Sequence, residues 1–290
     1  MDEMLRSVAN QLSLAALIPI IGVAVVVLSK GADVLVSEAV SLSRRFNVSP
    51  VIVGATVVSL GTTAPETAVS VLSAIEGDPG LALGNAVGSI ICNGALIIGV
   101  ASLIRPIPVD ALMIRRQGFV QYGAALLLVA LSFPVFSGMQ ADVLVSGGRL
   151  PRWAGLLFIA LLAGYLVITV RWSRSGYASV VPADGVAEDP ADVDPEESLP
   201  ATILKLIGGL ALVILASQVL IPAVEATALR IGVPRSVVAA SLVALGTSLP
   251  ELVTAVTASR KGHGELALGN VIGANVLNVL FVVGLSTAVT

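Results

Sequence analysis

Gly61-Thr62-Thr63-Ala64-Pro65-Glu66 recurs 185 residues later as Gly246-Thr247-Ser248-Leu249-Pro250-Glu251. The same spacing carries Leu81-Ala82-Leu83-Gly84-Asn85 onto Leu266-Ala267-Leu268-Gly269-Asn270 without a change. It also carries Gly88, Asn93 and Gly99 onto Gly273, Asn278 and Gly284. Chance agreement between two apolar helices would match Leu, Val and Ala. It would not place Pro-Glu and two asparagines in register. The chain therefore contains an internal repeat.

The setting of that repeat is a membrane. Of 290 residues, 56% are hydrophobic and 12% charged. A soluble domain has about 25% charged residues. Half that share cannot cover a water-facing surface, so lipid is the expected covering. Net charge is −3 and basic residues form no block, which speaks against nucleic acid as a partner. Cys92 is the single cysteine, so no disulfide forms within one chain, and a small packing residue is the expected role. Nothing in the sequence fixes an oligomeric state. The mixed-charge start, Met1 to Gln11, lacks the basic region of a signal peptide, so the apolar run after it reads as a retained first span.

Apolar stretches of roughly 20 residues mark spanning helices. Eight are expected, over 12–35, 50–75, 81–104, 112–134, 153–172, 201–229, 236–259 and 265–288, which makes this an all-α integral membrane protein. Val135 to Arg152 and the acidic stretch Ser173 to Pro200 read as aqueous. The domain reading is a first repeat of five spans over 1–172, a linker over 173–200, and a second repeat of three spans over 201–290. The copies are offset by five spans, an odd number, so they enter the bilayer from opposite sides, the inverted-repeat plan of secondary transporters. The positive-inside rule gives the orientation. With the N-terminus outside, Arg44, Arg45, Arg105, Arg115, Arg116, Arg171, Arg174, Lys205, Arg260 and Lys261 face the cytoplasm. Arg6, Arg149, Arg152, Arg230 and Arg235 remain outside, so the linker is cytoplasmic and the membrane is the cytoplasmic one.

The repeated residues suit a cation. Pro65 and Pro250 each delete a backbone hydrogen bond in mid-span, and Gly61 and Gly246 weaken the helix four residues earlier, so a helix break with carbonyls lining an ion cavity is expected at each. A carboxylate at the centre of a spanning helix costs about 2.5–3.5 kcal/mol on insertion scales. Glu66 and Glu251 are two such groups in equivalent positions. Lys30, placed near a helix end, is the one basic residue expected within a span and cannot neutralise both. Thr62, Thr63, Thr247 and Ser248 add hydroxyls, and Asn93 and Asn278 add amide oxygens. Ser89 lies one turn before Asn93 on the same face. Hard oxygen ligands suit calcium, sodium or magnesium and not copper or zinc. Asn85 and Asn270, directly after glycines, read as helix-packing residues ahead of ligands. His263 reads as a solvated turn residue. No resident cofactor is expected; the ions are cargo.

These residues resemble the cation/calcium antiporter superfamily and, within it, the prokaryotic sodium/calcium exchangers. That family carries Gly-Thr-Ser-x-Pro-Glu and Gly-Asn-x-x-Gly-Ser-Asn-x-x-Asn/Asp in each of two inverted repeats. The match is close over the second, third, seventh and eighth spans and looser over the first and sixth, where Lys30-Gly31-Ala32-Asp33 is similar to the family's first-span pattern. The resemblance implies ion ligands at Thr62, Thr63, Glu66, Ser89, Asn93, Thr247, Ser248 and Glu251. It also implies exchange of about three sodium ions for one calcium by alternating access. The chain departs from the pattern at Asn278, where the family often has aspartate, and at Ala274, where it often has serine. The family has ten spans in two sets of five. Thr290 is the counterpart of Arg105, so the last two spans are expected on a longer chain or a partner. The alternatives left open are a cation/proton antiporter, a passive channel and a non-transporting remnant.

Overall fold

The computed structural model describes residues 2–107, 111–133, 150–176, 198–234 and 246–290. Five helices among them are long and apolar enough to cross a bilayer: Leu14–Arg45, Pro79–Ile104, Arg152–Trp172, Leu199–Arg230 and Gly264–Val289. The second expected span is instead two shorter pieces, Pro50–Thr62 and Ala64–Ile75. The fourth is the helix Ala111–Ser132. Only the later half of the seventh lies among the described residues, and the two aqueous segments lie outside them except at their edges.

In chain order the helices are α1 (Asp2–Gln11), α2 (Leu14–Arg45), α3 (Pro50–Val53), α4 (Ser59–Thr62), α5 (Ala64–Ile75), α6 (Pro79–Cys92) and α7 (Ile98–Ile104). They continue as α8 (Ala111–Ser132), α9 (Arg152–Gly176), α10 (Leu199–Arg230), α11 (Leu249–Arg260), α12 (Gly264–Leu277) and α13 (Gly284–Val289). Wide π-type turns join α3 to α4, α6 to α7 and α12 to α13.

Local chemistry sets the helix ends. Asn47, with φ 52°, turns the chain after α2, a conformation asparagine tolerates better than most residues. Ser49 accepts from the Val51 N–H and Pro50 opens α3, where its missing N–H costs nothing. Asp78 caps α6 by accepting from the Leu81 N–H at 2.9 Å. Gly77 and Gly262 occupy matching positions of the two repeats and both have φ near +87° (87° and 86°), the left-handed exit that favours glycine after a helix.

Two features differ from the sequence reading. The N-terminal segment forms its own helix, α1, tied to α10 by Arg6–Glu225 at 2.8 Å and by Arg230, which donates to the Asn10 and Leu12 carbonyls. The first span, α2, runs 32 residues to Arg45, well past its expected end at 35 and the ~20 residues that cross a bilayer, whereas the sixth, α10, keeps close to its expected 201–229. Lys30 therefore sits in the body of α2 and not near its end. The extra length is held by polar contacts from other elements: Lys261 Nζ donates to Ser37 Oγ at 2.8 Å, and Lys205 lies 3.9 Å from Glu38.

α2 and α10 form the largest helix pair, and their backbones meet at Gly31 and Gly209, where an added Cβ would collide with backbone atoms. Gly54 and Gly269 likewise let α12 lie directly on the second span: a Cβ on Gly54 would stand 2.5 Å from the Leu266 carbonyl. Small residues at such crossings are how membrane helices gain close packing. The pairing also swaps repeats. α5 packs on the π turn and helix that follow α12, and α11 packs on the π turn and helix that follow α6. The fold is thus an inverted-repeat helical bundle with its polar residues at the crossing of the two copies.

Candidate cation site

Both helix breaks fall at the repeated motifs. Thr63 leaves helical geometry at φ −77°, ψ 1°, and Ser248 does the same at φ −86°, ψ 8°. Pro65 and Pro250 then sit in the first two positions of α5 and α11. At the first break the Thr63 N–H closes on the Ser59 carbonyl at 2.9 Å, so that turn is complete before Pro65 deletes its own hydrogen bond. Glu66 and Glu251 lie in the first turn of a helix, where unpaired N–H groups and the helix dipole favour negative charge.

The two carboxylates are buried to 1% exposure each. Thr63 Oγ1 donates to Glu251 Oε1 at 3.3 Å, and Ser248 Oγ donates to Glu66 Oε1 at 3.4 Å. Thr63 and Ser248 are repeat equivalents, as are the glutamates, so one contact appears twice with the copies exchanged. A second pair does the same. Thr62 Oγ1 donates to Asn270 Oδ1 at 3.3 Å, and Thr247 Oγ1 to Asn85 Oδ1 at 3.1 Å. Paired reciprocal contacts are the signature of a twofold relation.

Thr62, Thr63, Glu66, Ser89, Asn93, Ser248, Glu251 and Asn278 are all buried, and Thr247 is half-buried. The π turns begin at Asn93 and Asn278, and such turns concentrate at functional sites. Asn93 is anchored by a residue that sequence reasoning missed: its Nδ2 donates to Asn275 Oδ1 at 3.1 Å. Asn275 has no counterpart in the first repeat, where Ile90 stands, so the repeat logic passes over it. Ser70, which donates to the Ala82 carbonyl and receives from Asn85, was missed for the same reason, its counterpart being Ala255. Cys92 is half-buried against the core as expected. His263 is half-buried at the start of α12, more enclosed than a solvated turn residue.

Glu66 Oε2, Glu251 Oε2, Ser89 Oγ, Asn93 Oδ1 and Asn278 Oδ1 are buried with no hydrogen-bond partner in the protein. An unmet buried polar atom costs about 1–3 kcal/mol, so folded proteins leave few of them. Here five fall on residues the sequence names as candidate ligands, while Gln117, Thr169, Gln218, Thr254, Ser259, Asn270 and Ser286 carry the other such atoms among the described residues. Of the five, four are pure acceptors, and the fifth is a hydroxyl with free lone pairs. Such a set matches a hard cation coordinated by oxygen. No cluster of three or more His, Cys, Asp or Glu occurs among the described residues, so the acidic charge of the site is that of the two glutamates.

The sodium/calcium exchanger protein family model matches residues 16–171 and 201–290, and the chain belongs to that family. Sodium/calcium exchanger MaX1 of Methanosarcina acetivorans is 31% identical over 278 residues, 90% of this chain and 79% of that one. The putative antiporter CaxA of Alkalimonas amylolytica is 35% identical over 269 residues, 92% of this chain and 79% of that one. The inner membrane protein YrbG of Escherichia coli is 34% identical over 280 residues, covering 96% and 80%. Among solved structures, the sodium-calcium exchanger NCX_Mj soaked with zero sodium and calcium superposes with a TM-score of 0.76 at 26% identity, covering 96% of this chain and 84% of that one. The match spans both repeats. α1 lies ahead of the region the family model covers.

Proposed function

We propose that the protein is a secondary transporter that exchanges sodium for calcium across the cytoplasmic membrane by alternating access. The observation that carries this reading is the five partnerless buried oxygens of Glu66, Glu251, Ser89, Asn93 and Asn278. Two carboxylates balance one divalent ion, and the amide and hydroxyl oxygens complete a hard coordination shell. Thr62, Thr63, Glu66, Ser89 and Asn93 serve as ligands from the first repeat, and Thr247, Ser248, Glu251 and Asn278 from the second. Sodium uses the same oxygens, so the two ions exclude one another and exchange becomes obligatory. The repeats span 1–172 and 201–290, with the acidic 173–200 linker in the cytoplasm and the N-terminus outside.

The test is competition at equilibrium. Radioactive calcium bound to the purified protein should be displaced by sodium chloride and not by choline chloride at equal ionic strength. Displacement by falling pH alone, with sodium ineffective, would overturn the sodium reading and favour a cation/proton antiporter.

A further inference from the structure

Asn85 and Asn270 hold matching positions on α6 and α12, and each reaches the other repeat's helix break. Their oxygens accept the hydroxyl protons of Thr247 and Thr62. That proton could have gone elsewhere. Threonines in spanning helices ordinarily donate to their own backbone, and here Thr56, Thr67 and Thr227 do so, to Ile52, Thr63 and Ala223 at 2.6, 2.9 and 2.7 Å. Thr62 has the Ser59 carbonyl at 3.4 Å as such an outlet, yet it also faces Asn270. A hydroxyl carries one proton and two lone pairs, and it ligates a cation only with the lone pairs turned inward. An acceptor fixed on the far side of the oxygen imposes that orientation.

The two arms are not equal. Asn85 Nδ2 donates to the Glu66 carbonyl at 3.2 Å and to Ser70 Oγ at 3.0 Å, while Ser70 passes its own proton to the Ala82 carbonyl at 3.1 Å. The Asn85 amide is thereby held with its oxygen toward Thr247. Asn270 is fully buried, but its Nδ2 has no partner. The repeat puts Ala255 where Ser70 would be needed.

We infer that Asn85 and Asn270 are positioning residues that take the hydroxyl proton of the opposite repeat's threonine and so present its oxygen to the ion, with the Asn85 arm locked by Ser70 and the Asn270 arm unlocked. This rests on the cation-site reading above, in which Thr62 and Thr247 are ligands. It gives the two asparagines a role other than packing or direct ligation. It also makes the threonine ligands of the two half-sites inequivalent.

A set of double-mutant cycles on the detergent-purified protein tests it, read by equilibrium binding of radioactive calcium. Asn270→Leu should weaken calcium binding roughly five- to tenfold, the worth of one oriented hydrogen bond. In a Thr62→Val background it should do almost nothing further, whereas in a Thr247→Val background its effect should persist in full. Asn85→Leu should show the reverse pattern. Additive losses in all four combinations would overturn the inference, since acting through a threonine requires non-additivity with that threonine alone. Ser70→Ala removes one oxygen and leaves the asparagines in place. It should weaken binding about two- to threefold, through Thr247 and not through Thr62. A Ser70→Ala protein that binds calcium as the parent does would overturn the locked-arm assignment even if the leucine variants failed to fold. If Thr62→Val and Thr247→Val both leave calcium binding unchanged, it is the cation-site reading that fails.

Discussion

Among the described residues no ion pair is formed by Glu66 or Glu251, which sets them apart from the buried acids of soluble proteins. Each has one oxygen bonded to a hydroxyl of the opposite repeat and one with no partner. Both lie in the first turn of a helix, whose N–H groups and dipole favour their charge. Glu66→Gln and Glu251→Gln should each lose calcium binding by a hundredfold or more, since removing one partner from a buried ionic pair costs about 3–5 kcal/mol and 1.4 kcal/mol is a factor of ten. The same variants should insert and purify normally, because a neutral amide is easier to bury than a carboxylate. Equilibrium calcium binding beside a monodisperse elution profile checks both halves. Retained binding in either variant would remove that glutamate from the site. At this scale the sequence was unusually legible. Polar residues repeated in register within apolar helices have few explanations other than a shared site. What it hid was pairing. A spacing of 185 residues shows which positions are equivalent, but not that Thr63 meets Glu251 or that Thr62 meets Asn270. Asn275 and Ser70 stayed hidden because they break the repeat.

Between helices, the decisive contacts are made by residues with almost no side chain. Gly273 of α12 lies against Ala55, and Gly269 lies against Val51, with backbone in contact with backbone. Gly273→Leu should push α12 off the second span and disturb the two asparagines that α12 contributes. Overpacking of a tight core costs about 1–3 kcal/mol, so a clear fall in melting temperature is expected by thermal-shift fluorescence, along with loss of calcium binding. An unchanged melting temperature would mean that the crossing tolerates a wider gap. By contrast, Arg6→Ala at the α1–α10 contact removes an ion pair whose arginine is largely exposed. Exposed pairs contribute about 0–1 kcal/mol, so the melting temperature should barely move. α10 was read almost whole as 201–229, but the full length of α2 was not legible, because Lys30, Asp33 and Glu38 end the apolar run near residue 35. The helix continues because Lys261 and Lys205 reach those positions from distant parts of the chain. α1 was equally hidden: its apolar stripe of Met4, Leu5, Val8 and Ala9 is too short to read as a span, and its partners lie on α10.

Taken whole, the molecule is two similar bundles whose polar breaks meet and whose contacts are exchanged in pairs. The hydroxyl–carboxylate contacts at the breaks belong to neither repeat alone, and in the proposed exchange a change in the angle between repeats would alter access from the two membrane faces in opposite senses. The sequence carried this architecture through the odd, five-span offset of the copies, without any knowledge of packing. The direct measurement is radioactive calcium uptake into vesicles bearing the protein, with an outward sodium gradient and a potassium-valinomycin clamp. The account predicts uptake that requires internal sodium, is abolished by Glu66→Gln, and responds to the imposed potential. With three sodium ions per calcium, one charge crosses per cycle, worth about 2.3 kcal/mol per 100 mV, or roughly fiftyfold in the limiting calcium gradient. Uptake unaffected by the potential would contradict the three-to-one ratio. Uptake that ignores the sodium gradient altogether would contradict sodium/calcium exchange itself.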